Sequence, residues 1–206
     1  MGSEARTQRM RSVLSRRLGR VRCAIEAVYH RHNVSAILRT CDSLGLHHVH
    51  LVEGHFKPAH GASRGAERWL DLHRHASAEH AIATLRAAGC RIYVADLSDD
   101  AVPPEGVPLD EGPVCIWMGA ELAGVSEAAR AAADGVITIP MHGFAQSLNV
   151  SVAAALALRP VAERARQLGE VALLDDLEKQ RTWSRWMERA ENIDLNARAV
   201  AALRQD

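Results

Sequence analysis

The sequence predicts an α/β fold, a mostly parallel sheet with flanking helices, and three observations lead there. Short apolar runs alternate with segments of helical period along the chain, and the helical segments carry caps and glycine stops. The 206 residues, 48% of them hydrophobic and 24% charged, are enough for one substantial core and argue against disorder.

The first strand is expected in "CAIEAVY", Cys23 to Tyr29. "NVSAILRTCDSLG" follows as a helix, with Asn33 as N-cap, Val34, Ile37, Leu38, Cys41 and Leu44 as its apolar face, and Gly45 as its stop. "HHVHLVEG" gives a second strand. A helix from Ala78 to Ala88, ended by Gly89, leads into "RIYVADL"; "PVCIWMG" leads to a helix opened by Ser126, and "GVITIP" is the next strand. "GFAQSLNVSVAAALAL" begins polar and becomes an alanine-rich buried helix. Proline inside a helix costs about 3 kcal/mol, so Pro160 is expected to end or kink this helix near Arg159. From Leu168 onward, Leu173, Leu174, Leu177, Trp183, Trp186 and Met187 recur at helical spacing, which predicts a docking helix for core packing or a dimer contact. The expected organisation is a basic N-terminal helical extension (1–22), a central domain (23–168) and a C-terminal helical extension (169–206).

Composition excludes several classes. No apolar run approaches the roughly 20 residues that span a bilayer, and the arginine-rich start lacks an apolar segment behind it, so a cytoplasmic location is expected. The four cysteines (Cys23, Cys41, Cys90, Cys115) are far apart and sit beside apolar residues, which points to buried thiols. Eleven histidines invite a metal, but "HHVHL" and "DLHRHAS" show neither a helical H-x-x-x-H pair nor a cysteine nearby, and no metal site is expected. "GAELAGVS" has P-loop glycine spacing with Val125 where the lysine belongs, and no G-x-G-x-x-G follows a strand. Ordinary nucleotide-binding modes are therefore unsupported. Net charge is zero, yet residues 1–22 hold seven arginines against Glu4 alone, a basic end suited to phosphate binding.

In open α/β sheets ligands sit beyond the carboxyl ends of the strands, so the segments after strands carry the function. Three of them, "NVSAILRTCDSLG", "IWMGAELAGVSEAA" and "ITIPMHGFAQSLNVSVAAALAL", resemble in order and spacing the three motifs of the SpoU branch of the SPOUT (trefoil-knot) RNA methyltransferases. The likeness spans about residues 8 to 190 and is greatest to the TrmH subfamily, which methylates a guanosine 2'-hydroxyl in tRNA. It implies a trefoil-knotted, mostly parallel sheet, a homodimer, S-adenosylmethionine as cofactor, and tRNA 2'-O-methylation, most specifically at guanosine 18 of the D-loop. Ribosomal RNA, another tRNA position, or a knotted RNA-binding protein without activity are the alternatives.

Carried onto this chain, the resemblance implies Arg39 as the catalytic arginine, Asn33, Glu121, Ser147 and Asn149 around the target ribose, and Leu97, Gly119, Ile139, Met141 and Leu148 as cofactor-binding positions. Asn33, Ser147 and Asn149 equally suit helix caps. Arg6, Arg9, Arg17, Arg164 and Arg166 are the candidate tRNA phosphate contacts. The chain departs from the family pattern in "YHRH" before Asn33, where a lysine and proline are usual, and in "AELAG", which lacks a lysine and tryptophan.

Overall fold

The structure, a computed structural model, describes residues 3–28, 30–52, 65–98, 100–120 and 123–202, with side chains from residue 4 to 192. Among them β1 (Val21–Glu26), β2 (His48–Val52), β3 (Asp71–His75), β4 (Arg91–Ala95), β5 (Val114–Met118) and β6 (Gly135–Ile137) form one sheet in the order β3-β2-β1-β5-β4-β6. Every pairing is parallel.

Strand side chains alternate between two cores, as the period of two requires. On one face Cys23, Ile25, Val49, Leu51, Ile116 and Met118 meet α2 (Arg31–Ser43) and α5 (Val150–Gln167). On the other, Ala24, Val52, Ile92, Val94 and Trp117 meet α3 (Ala78–Ala87) and α4 (Glu127–Ala131). Burial on both faces is why β5, at the middle of the sheet, is apolar throughout. A third cluster, Met10, Leu14, Leu174, Trp186 and Ala190, joins α1 (Ser3–Leu14) to α6 (Asp176–Ala202), so the C-terminal helix docks through its tryptophan while Leu177 stays exposed.

Several expectations meet their physical test here. Gly45 ends α2 with φ +77°, while the Leu46 N–H donates to the Cys41 carbonyl and the Gly45 N–H to that of Asp42, which is a Schellman motif. Ser126 caps α4 by accepting from the Ala129 N–H. All four cysteines are free and buried, and burial pushes the Cys90 thiol up to about 11. No helix among the described residues is long and apolar enough to cross a membrane.

Two readings need correction, and one strand was not anticipated from the sequence. Asn33 is not the cap of α2, which starts at Arg31 after His30 and has no side-chain cap. Pro160 neither ends nor divides α5, which runs 18 residues through it. Buried residues on both sides of the proline, Ala154, Ala157 and Leu158 before and Val161, Ala162 and Ala165 after, hold the two halves on one core and outweigh the missing hydrogen bond. The strand β3, "DLHRH", carries no apolar run because it is the sheet edge and only half covered.

Candidate active site

At the carboxyl ends of β4, β5 and β6 a cavity of about 230 Å³ opens to solvent. Its walls come from four consecutive pieces of backbone. Ala95, Asp96 and Leu97 follow β4; Met118, Gly119, Ala120 and Gly124 follow β5; Thr138, Ile139 and Met141 follow β6; Gln146, Ser147 and Leu148 lead into α5, whose Val150, Ala153 and Ala157 form the floor. Leu97, Gly119, Ile139, Met141 and Leu148 thus line one space, with Ser147 beside them.

The walls are held by local bonds. The Asp96 carboxylate accepts from the Leu97 N–H at 2.8 Å and pairs with Arg130. Ala120 and Gly124 exchange two backbone hydrogen bonds of 2.9 and 3.0 Å, folding this loop back on itself. Behind it, Glu26 at the end of β1 is almost fully buried, and its Oε2 accepts from Trp117 Nε1 (2.8 Å) and from the Ser126 N–H (3.0 Å). Glu26 therefore ties the far end of the loop to the sheet. Only one sequence signal pointed to it: a lone acid in the apolar stretch "CAIEAV". Gln146 lines the cavity beside Ser147, as its place at the polar start of this segment suggested, while Asp96 and Thr138 line it and were not among the expected site residues.

Asn149 caps α5, its Oδ1 accepting from the Ser151 N–H at 2.9 Å and from the Ser151 hydroxyl at 2.6 Å. Its Nδ2 donates to Asn33 Oδ1 at 3.2 Å, so the first and third motifs meet through a pair of amides. Arg39 lies elsewhere: exposed on α2, it lines a separate hollow with Thr40, Ser43, Ala155 and Arg159, between α2 and α5. Glu121 lies outside the described residues.

The candidate phosphate contacts divide sharply. Arg17 has no exposed surface: Nη1 donates to the Leu46 carbonyl at 2.9 Å, Nη2 meets Asp42 Oδ1 at 2.5 Å and the Trp69 carbonyl at 3.3 Å, and the guanidinium lies over Trp186. It is a structural cross-link and is removed from the RNA-facing set. Arg164 donates to the Val107 carbonyl at 2.8 Å, and Arg166 to the Arg16 and Leu44 carbonyls at 3.1 and 2.5 Å, so both are occupied in clamping backbone. Arg9 is exposed on α1 and Arg6 half-buried there.

An all-parallel sheet whose post-strand loops converge on one cavity defines an α/β ligand-binding domain with its site at the strand ends. Residues 20–159 match the SpoU rRNA Methylase family, and the chain belongs to that family. It is 39% identical over 183 residues to the Escherichia coli K12 protein named tRNA (guanosine(18)-2'-O)-methyltransferase, covering 85% of this chain and 79% of that one. The crystal structure of the Aquifex aeolicus TrmH/SpoU tRNA modifying enzyme superimposes with a TM-score of 0.81 at 30% identity, covering 91% and 97% of the two chains. An AdoMet-bound rRNA methyltransferase from Sinorhizobium meliloti superimposes with a TM-score of 0.65 at 26% identity, over 75% of this chain and 60% of that one.

Proposed function

We propose that this chain transfers a methyl group from S-adenosylmethionine to the ribose 2'-hydroxyl of guanosine 18 in tRNA. The observation that carries the reading is the convergence of Leu97, Gly119, Ile139, Met141 and Leu148 on one cavity, with Ser147 at its side. The cavity suits such a cofactor: Met118, Ile139, Leu148 and Ala153 offer apolar surface, and Asp96, Thr138, Gln146 and Ser147 are the polar residues among its lining. The E. coli relative's name supplies the choice of nucleotide.

When bound, the cofactor supplies a methyl group on a sulfonium, so that the ribose oxygen gains a C–O bond as the C–S bond breaks. The hydroxyl proton leaves to a phosphate oxygen or water. Nothing in this displacement requires a strong protein base, and positioning alone can contribute about 7–11 kcal/mol. Arg39 fits a positioning role, because a guanidinium stays protonated and cannot act as the base. It holds a substrate phosphate through a forked pair of hydrogen bonds, while Ser147, Asn149 and Asn33 face the ribose. Glu121 is assigned its supporting role by family resemblance alone.

Since Arg39 does not line the cavity of its own chain, the reading includes a homodimer. Val152, Ala155, Leu156 and Arg159 form one stripe along α5, with Val152 and Leu156 exposed, and Ala155 and Arg159 shared with the Arg39 hollow. That stripe is the surface on which a second copy would sit. The alanines of α5 suit the close passage of a knotted chain. The central domain (23–168) carries the chemistry in the cytoplasm, framed by an N-terminal extension (1–22) that holds α1 and a C-terminal extension (169–206) that holds α6, and Arg6 and Arg9 of α1 meet tRNA phosphates.

Incubation with labelled S-adenosylmethionine and a tRNA transcript, followed by nucleotide mapping, tests the proposal. A methyl on the ribose of guanosine 18 is the expected product; a methylated base or a different nucleotide overturns it. In the same assay Arg39→Lys is expected to lower kcat by about tenfold or more, since losing one charge-assisted hydrogen bond costs about 1.5 kcal/mol or more. Wild-type turnover by that variant removes the forked contact from the mechanism.

A further inference from the structure

The in-register pairing of β2 with β3 places two histidine-bearing strands side by side, His48 opposite Asp71 and His50 opposite His73. Residues two apart share a face of a strand, so His48, His50, Asp71 and His73 all project from the same side of this edge. His48 Nδ1 lies 3.1 Å from His73 Nε2 and 3.6 Å from Asp71 Oδ2, and the last two atoms are 3.4 Å apart. Four-coordinate zinc has ligands at about 2.0–2.1 Å, which sets tetrahedral edges of about 3.3 Å. The three atoms form a triangle of that size, and an ion about 2.05 Å from each would sit only about 0.6 Å out of their plane.

Their surroundings fit the same assignment. His48 Nε2 meets Glu178 Oε1 of α6 at 3.1 Å, the carboxylate contact on the second ring nitrogen that orients histidine ligands and fixes their tautomer. The other oxygen of Asp71 is held by Arg185 at 2.5 Å. The His73 ring stacks on His50 with centroids 4.6 Å apart, and His50 Nδ1 in turn bonds His75 Nε2 at 2.9 Å. His73 and Asp71 are about a third exposed, which leaves a path for an ion and a water in the fourth position. Two carboxylates, Asp71 and Glu178, face the incoming charge, partly balanced by the guanidinium groups of Arg185 and Arg22 nearby.

We propose that His48, Asp71 and His73 bind a divalent transition metal of the zinc type. The ion clasps the edge strand β3 to β2 and, through Glu178, to the C-terminal helix. Ligands drawn from two strands in register explain why no single stretch of sequence shows a metal motif. The site stands apart from the methyl-transfer cavity and does not depend on the reading of that cavity.

The full chain, stripped with a chelator, is titrated with Co(II) by visible absorption and with Zn(II) by calorimetry. One ion per chain is expected, with the absorption bands of a four-coordinate Co(II) ion. His73→Ala and Asp71→Asn abolish this binding, Glu178→Gln weakens it by about 10- to 100-fold, and His80→Ala leaves it unchanged. Circular dichroism in chelator checks that each variant is folded, and His73→Ala, at a partly exposed position, keeps the test open if Asp71→Asn is not. A wild-type protein that binds no ion, or binding that survives His73→Ala in a folded protein, overturns the site and leaves a hydrogen-bonded histidine ladder.

Discussion

Gly119→Ala is expected to lower the affinity for S-adenosylmethionine by about 100-fold or more. A Cβ at this position would lie 2.3 Å from the Gly124 carbonyl carbon, 2.4 Å from its oxygen and 2.4 Å from the Val125 nitrogen. All three are backbone atoms, so no side chain can swing away and the loop itself must move. The loop is not free to do so, because Ala120 and Gly124 hold each other by two hydrogen bonds and Glu26 holds Ser126 from behind. Overpacking of this kind costs about 3 kcal/mol at the upper end of its usual range, which is about two decades in a dissociation constant. Calorimetric titration of the cofactor reads the loss, and circular dichroism shows whether the sheet survives. A Gly119→Ala protein that binds with wild-type affinity would mean that the β5 loop is no wall of the cofactor site. Gly124→Ala makes the useful contrast: its Cβ would meet nothing within 4 Å, and the cost there is backbone strain of about 1–2 kcal/mol from φ +68°.

The order of elements was legible in the sequence because the central strands are buried on both faces and the helices carry their own stops. Gly45, Gly89 and Ser126 do locally what their residue types suggest. Features decided by distant partners were not legible. Asn33 looked like a cap because it precedes an apolar helix, yet its amide is engaged by Asn149, 116 residues further along the chain. The strand β3 has no apolar signature and owes its extended form to the ladder that β2 offers it. For the same reason the histidines of "HHVHL" and "DLHRH" gave no metal pattern when each stretch was considered alone. The expected cofactor positions came from family likeness alone, since residues such as Gly119 and Ile139, which line the cavity, carry no chemical signal of their own. Family likeness also hid a distinction that only coordinates draw: Arg39 and the cavity belong to different hollows of one chain.

The arginines of the N-terminal stretch separate the structural from the functional most clearly, and they set up the second large effect. Charge counting treats Arg9 and Arg17 alike, whereas the fold exposes one and fully buries the other. Arg17→Ala is expected to destabilise the protein by about 3 kcal/mol, the lower end for breaking a buried ion pair because the Asp42 side chain keeps 31% of its exposure. The change also strips donors from the Leu46 and Trp69 carbonyls and leaves a void beside Trp186, so packing and polar losses act together. For a chain of this length the melting temperature falls by about 6–12 °C. Arg9→Ala is the counterpart: stability stays within about 0.5 kcal/mol, while tRNA binding weakens across sequences and the salt slope of binding drops by about one. Thermal melts and salt-dependent binding titrations on the two variants give opposite patterns if this division is right. An Arg17→Ala protein that melts like the wild type but binds tRNA poorly would return Arg17 to the RNA-facing set and contradict its burial.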